Sequence, residues 1–125
     1  MPYASSPGGD VLHGESAGVT FGSSGAGFPG GSASTRSVAL GDVDGDGRLD
    51  VLVGNSGATN ELLLQQSDGS FVAAAGFPGG SALTNSVALG DVDGDGRLDV
   101  LVGNYGSAAN ELLLQQSDGS FVAAA

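Results

Sequence analysis

The run DVDGDGRLDV occurs twice, at Asp42–Val51 and again at Asp91–Val100. Within the first copy, carboxylates alternate along the chain at Asp42, Asp44 and Asp46, Gly47 follows, and Asp50 comes three residues later. The second copy repeats the pattern with Asp91, Asp93, Asp95, Gly96 and Asp99. Like charges set this close repel, so the run requires either bulk water around it or a cation within it. Alternate side chains on a tightly curled loop can all face one centre. The backbone carbonyl of Arg48 (Arg97 in the second copy) can join them, and Asp50 (Asp99) can close the far side from the start of the next strand. Calcium takes about 6–8 hard oxygen ligands at about 2.3–2.6 Å in a flexible cage, and this donor set suits it. Magnesium fits less well, because it demands a rigid octahedron and keeps its waters.

Two simpler readings compete with a functional calcium site. A solvated acidic turn would also be rich in Asp, but four spaced carboxylates with a glycine, present twice, form a more specific pattern than that. The second reading accepts the metal and makes it structural: the ion would pin the hairpin between two strands, and its affinity would appear as folding stability. An EF-hand is excluded. Its loop needs a bidentate Glu where this sequence has Val53 or Val102, and helices on both sides.

The elements that must hold these loops are repeated too. Phe28–Asn55 and Phe77–Asn104 align without gaps, differing only at Ser34/Leu83 and Arg36/Asn85, and Asn60–Ala75 recurs identically as Asn110–Ala125. Between the blocks, Ser56–Thr59 becomes the longer Tyr105–Ala109. A unit of about 49 residues fits either a four-stranded blade or a larger helical repeat, and the periodicity within it chooses the blade. Ser37–Gly41 is β-prone, Leu49–Asn55 alternates Leu49, Val51 and Val53 on one face, and Asn60–Gln66 supplies a third run. The Asp-Gly of Ser67–Ser70 then predicts a hairpin turn into Phe71–Ala75. Gly76–Gly80 breaks the chain before the next unit. The expected fold is therefore all-β, with four-stranded antiparallel blades over residues 27–75 and 76–125. Residues 1–26 are irregular, and Gly9–Phe21 loosely matches the two outer strands of a preceding, degenerate half blade.

Composition narrows the function. With Lys+Arg 3 against Asp+Glu 14 and a net charge of -11, the chain has no basic patch for nucleic acid or anionic membrane. Most of the acidity sits in the two loops, and 40% hydrophobic content is ordinary for a folded protein. The absence of Cys rules out disulfides and thiolate metal sites. No apolar run approaches the roughly 20 residues of a membrane span. The first residues lack the pattern of a secretory signal, so the chain is expected either to stay inside the cell or to begin after a removed signal.

The stretch SVALGDVDGDGRLDVLVGN followed by NELLLQQSDGSF, present in both copies, resembles the FG-GAP/VCBS-type repeats of integrin-α-like propellers. The resemblance covers almost everything from Gly27 onward. It implies blades of a β-propeller and calcium at Asp42, Asp44, Asp46, the Arg48 carbonyl and Asp50, with Asp91, Asp93, Asp95, the Arg97 carbonyl and Asp99 as counterparts. It also implies an extracellular setting. Propellers close with about 4–8 blades, so the expected partner is a further copy of the chain or more repeats of a longer array.

An enzyme is not expected. The single histidine, His13, lies in the irregular segment, and Glu61 and Glu111 are repeat-equivalents rather than a facing acid/base pair. A structural or adhesive role suits near-identical units, since a specific site usually breaks repeat symmetry. The alternative is a lectin-like propeller holding a glycan between blades or in loops. Its candidate contacts are the positions where the repeats differ: Arg36, Asn85 and Tyr105, the last able to stack on a sugar ring.

Overall fold

A computed structural model describes Phe28 and residues 33–80 and 82–124. The half blade expected over residues 1–26, with His13, lies outside these residues. Eight strands follow in order: β1 (Thr35–Gly41), β2 (Asp50–Asn55), β3 (Glu61–Gln65), β4 (Phe71–Ala73), β5 (Thr84–Gly90), β6 (Asp99–Asn104), β7 (Glu111–Gln115) and β8 (Phe121–Ala123). They form two antiparallel four-stranded sheets, β1-β2-β3-β4 and β5-β6-β7-β8, in which each strand pairs with its neighbour in sequence. No helix occurs among the described residues. The two sheets do not close into a ring.

Local chemistry explains the meander. Val38 pairs with Val53 and Leu40 with Val51, so β-branched and aliphatic side chains stand opposite each other across the first hairpin. At the β3–β4 turn, Gly69 adopts φ 87°, a left-handed conformation that favours glycine. Asp68 Oδ1 accepts from the Ser70 amide at 2.9 Å and hydroxyl at 2.6 Å, and Asp118 holds Ser120 identically.

Strand β2 is buried along its whole length because both of its faces are used. Val51 and Val53 join Leu63 and Phe71 on one face. On the other, Leu52 and Leu62 meet Val87, Val100, Val102 and Leu113 of the second sheet. An edge-to-face aromatic pair closes the rim of each sheet: Phe28–Phe71 at 5.1 Å and Phe77–Phe121 at 5.4 Å.

Close approach at glycines makes the junction between sheets. A β-carbon on Gly54 would stand 2.8 Å from Val87 Cγ1 and 3.1 Å from Thr84 Cγ2, and one on Gly41 would be 3.0 Å from Cδ1 of both Leu89 and Leu98. Strand β5 therefore lies directly on the backbone of β1 and β2. The repeat-equivalents of these glycines on the second sheet are open. Nothing comes within 4 Å of a β-carbon on Gly90, and Gly103 would meet only Ser86, at 3.6 Å and beyond. Gly54→Val is expected to destabilise the chain by about 1–3 kcal/mol through overpacking. Gly103→Val, the same change one repeat later, is expected to stay within about 0.5 kcal/mol of wild type. Urea denaturation of both variants at submicromolar chain concentration checks the pair.

Candidate metal centre

Each acidic run forms the loop that joins the first two strands of its sheet. The loop curls tightly because Gly45 and Gly47 take φ 78° and 86°, as do Gly94 and Gly96 at 77° and 88°. Asp42 organises the curl. Its Oδ1 accepts from the amides of Gly45 (2.9 Å) and Asp46 (3.1 Å), and its Oδ2 accepts from Gly47 (2.8 Å). Asp91 repeats all three bonds with Gly94, Asp95 and Gly96.

Asp50 anchors the loop from below and is fully buried. Its Oδ2 accepts from the Val43 amide at 2.7 Å, and its Oδ1 accepts from the Gln65 amide at 2.9 Å. One carboxylate thus ties the start of the loop to β2 and β3 together. Asp99 does the same with Val92 (2.8 Å) and Gln115 (2.9 Å).

Three carboxylates converge in each loop. Asp42, Asp44 and Asp50 each offer an oxygen within 4.8 Å of the others, and so do Asp91, Asp93 and Asp99. Oxygens bound to one calcium can be no more than about 5 Å apart, so the spacing and the all-oxygen donor set fit that ion. Asp46 stands outside the three: its Oδ1 accepts from the Arg48 amide at 2.9 Å, and its Oδ2 from Arg48 Nη1 at 2.7 Å. Asp95 accepts from the Arg97 amide at 2.9 Å in the same way. Arg48 and Arg97 therefore enter the loop with their amides and side chains turned to the neighbouring Asp.

The crowding is visible in proton affinity. Burial, then a hydrogen bond shared with Asp46, then the charges of Asp50 and Asp46 push the Asp44 carboxyl up to about 6. Burial also raises Asp50, against the opposing amides of Gln65 and Val43. Asp93 is raised by burial and by Asp95. By contrast, the Arg48 amide holds Asp46 low, and the Gly96 amide does so for Asp91.

A pH dependence of opposite sign with and without calcium follows. Without a cation, the folded chain keeps protons on the raised carboxyls that the unfolded chain has released. Its stability therefore falls as pH rises from about 4 through about 6. With calcium the ligands must be deprotonated, so binding and the stability it confers grow over the same range. Melting temperatures across that window, in calcium-depleted and calcium-containing buffer, should separate increasingly as pH rises; a difference that stays constant with pH would contradict the assignment.

Among the repeat-breaking residues, Arg36 and Tyr105 come together. Tyr105 Oη lies 2.7 Å from Ser56 Oγ and 3.5 Å from Arg36 Nη2, and the Arg36 guanidinium carbon is 5.5 Å from the ring centroid. These contacts bind the first sheet to the second, so one ring face and the hydroxyl are already engaged. Asn85 is exposed on β5 and has no part in the contact. The cluster sits where β2 ends, at the opposite end of the strands from the acidic loops.

Sequence reasoning missed two amides that brace the loops and the junction. Gln115 Nε2 donates to the Val43 carbonyl at 3.1 Å, reaching from the second sheet into the first acidic loop. Buried Asn60 donates from Nδ2 to Thr84 Oγ1 at 2.9 Å, and its Oδ1 accepts from the Asn55 amide at 2.7 Å. Their only sequence signal was identity between repeats, which they share with most of the chain.

The FG-GAP-like repeat family matches residues 3–53 and 42–102, two overlapping repeats that meet at the first acidic loop. The chain belongs to this family. No curated protein and no solved structure gives a match.

Proposed function

We propose that the chain is a calcium-stabilised β-propeller repeat module of the extracellular space, with a structural or adhesive role. The observation that carries this is the convergence of three carboxylates in the loop between the first two strands of each sheet. Asp42, Asp44 and Asp50 would hold the ion in the first loop, and Asp91, Asp93 and Asp99 in the second, with Asp46, Asp95 and the Arg48 and Arg97 carbonyls completing the cages. The ion supplies positive charge that cancels the repulsion among carboxylates. The protein's own amides, on Asp42 and Asp50, hold the loop in shape for it.

Several features support this role over catalysis. Glu61 and Glu111 are exposed at equivalent places on two different sheets, so they do not form a facing pair. The loops use their carboxylates on backbone amides and on one another. No helix of the described residues is long and apolar enough to cross a membrane. An extracellular setting also supplies the calcium that such cages need.

A lectin-like reading is favoured by one observation. An open groove of about 530 Å³ runs between the sheets beside the loops, lined by Asp42, Asp44, Arg97, Asp118 and Phe121 among others. A glycan array probed in calcium separates the two readings. The scaffold reading expects a blank array. Binding lost in Arg97→Ala would assign a glycan to the groove, and binding lost in Tyr105→Ala would assign it to the Arg36–Tyr105 end.

A further inference from the structure

The two sheets carry the same core face, and one copy of it is open. Leu52 is 0% exposed but its counterpart Leu101 is 49% exposed, and Val43 at 6% contrasts with Val92 at 59%. On the first sheet this face is covered by the second, whose Val87 seats against Gly54. Gly103, at the same place on the second sheet, has room for the same side chain. Leu62 and Asn60 likewise recur as Leu112 and Asn110. Core packing alone therefore does not distinguish docking on the first sheet from docking on the second sheet of another copy. Exchange of this kind is a characteristic misassembly of repeat proteins.

Residues that differ between the repeats meet across the junction. Leu83, the counterpart of Ser34, forms a backbone bridge to Ser56 of the first sheet, which sets the register there. Tyr105, the counterpart of Ser56, places its Oη 2.7 Å from Ser56 Oγ, and the Arg36 guanidinium carbon lies 5.5 Å from its ring centroid. The counterpart of Arg36 is Asn85. Docked on another copy's second sheet, Tyr105 would meet an asparagine in place of Arg36 and a tyrosine in place of Ser56. The cation over the ring is then lost, and the space of a small hydroxyl side chain must hold a phenol.

We propose that Arg36, Ser56 and Tyr105 form a pairing code, which makes the second sheet dock on the first sheet of its own chain and not on the second sheet of another copy. Arg36 and Ser56 mark the receiving sheet, and Tyr105 reads them. The cation–aromatic contact and the hydroxyl pair together are worth about tenfold in that choice. The code acts through packing and is independent of whether the loops hold calcium.

Arg36→Asn with Ser56→Tyr tests this by giving the first sheet the markings of the second. A short linker already favours pairing within one chain, at an effective concentration of about 1 mM, so chains are refolded from urea at about that concentration. Parallel samples are refolded at submicromolar concentration, and both are sized by light scattering at one common concentration. The two refoldings of wild type should agree to within about a tenth of the material, whereas about half of the double variant refolded at the higher concentration should be exchanged multimers. Arg36→Asn alone, at an exposed position, should give an intermediate share. Adding Gly103→Val to the double variant closes the open face and should restore the wild-type size. Asp68→Ala, which removes the local acceptor of Ser70 in the β3–β4 turn, controls for lost stability and should not exchange. The proposal is overturned by a double variant that refolds as faithfully as wild type, or by a wild type or Asp68→Ala chain that exchanges as much. Multimers that survive Gly103→Val overturn it as well.

Discussion

Asp50→Ala is expected to destabilise the chain by about 2–6 kcal/mol, with or without calcium, because it leaves two buried amides without acceptors at about 1–3 kcal/mol each. Those amides belong to Val43 and Gln65, and the carboxylate is fully buried between them. Removing a crowded charge gives something back, since burial raises the Asp50 carboxyl. The amide loss should still dominate, because a protonated Asp accepts hydrogen bonds and an alanine does not. Against a typical domain stability of about 5–15 kcal/mol, the change is large enough to unfold the hairpin. Asp44→Asn is the contrasting variant. Asp44 accepts a 3.3 Å contact from the Asp46 amide and shares a hydrogen bond with the Asp46 carboxyl, both of which an Asn can keep, so the change should be silent or mildly stabilising without calcium and harmful only with it. Urea denaturation in both buffers distinguishes them. Equal behaviour of the two variants would mean that Asp50 has no anchoring role separate from the metal.

Removing calcium should produce the second large effect. An ion present at about 100 times its dissociation constant adds about 2.7 kcal/mol per site, so two cages add about 5 kcal/mol. For a domain of this size that corresponds to a melting temperature lower by about 20 °C after chelation. Asp44→Ala combined with Asp93→Ala should erase the difference, because each removes one of the three converging oxygens of its loop. Thermal melts followed by circular dichroism give the comparison. Superimposable wild-type melts in calcium and chelator would leave the loops as acidic turns held by their own amides.

Strand order and the acidic loops could be read from the sequence because both depend on local chemistry. Alternating Val and Leu, the Asp-Gly turns and the spacing of Asp42, Asp44 and Asp50 all act within a few residues of one another. The unequal burial of identical side chains could not be read. Leu52 and Leu101 sit in the same local sequence, and only the neighbouring sheet makes one buried and the other exposed. The same limit applied to Tyr105, whose contacts with Arg36 and Ser56 cross between repeats. Spacing grouped Asp46 with its neighbours, but a bond to Arg48, two residues away, turns its carboxylate outside the converging three. Asp50 was read only as a ligand; its anchoring of two amides depends on β3 arriving beside it, which spacing does not encode.

Isothermal titration of calcium into the metal-depleted chain tests the central claim most directly. The account predicts two ions bound per chain, one remaining in Asp44→Ala or Asp93→Ala, none in the double variant, and weaker binding of magnesium. No binding heat in the wild-type chain, or two ions still bound by the double variant, would contradict it.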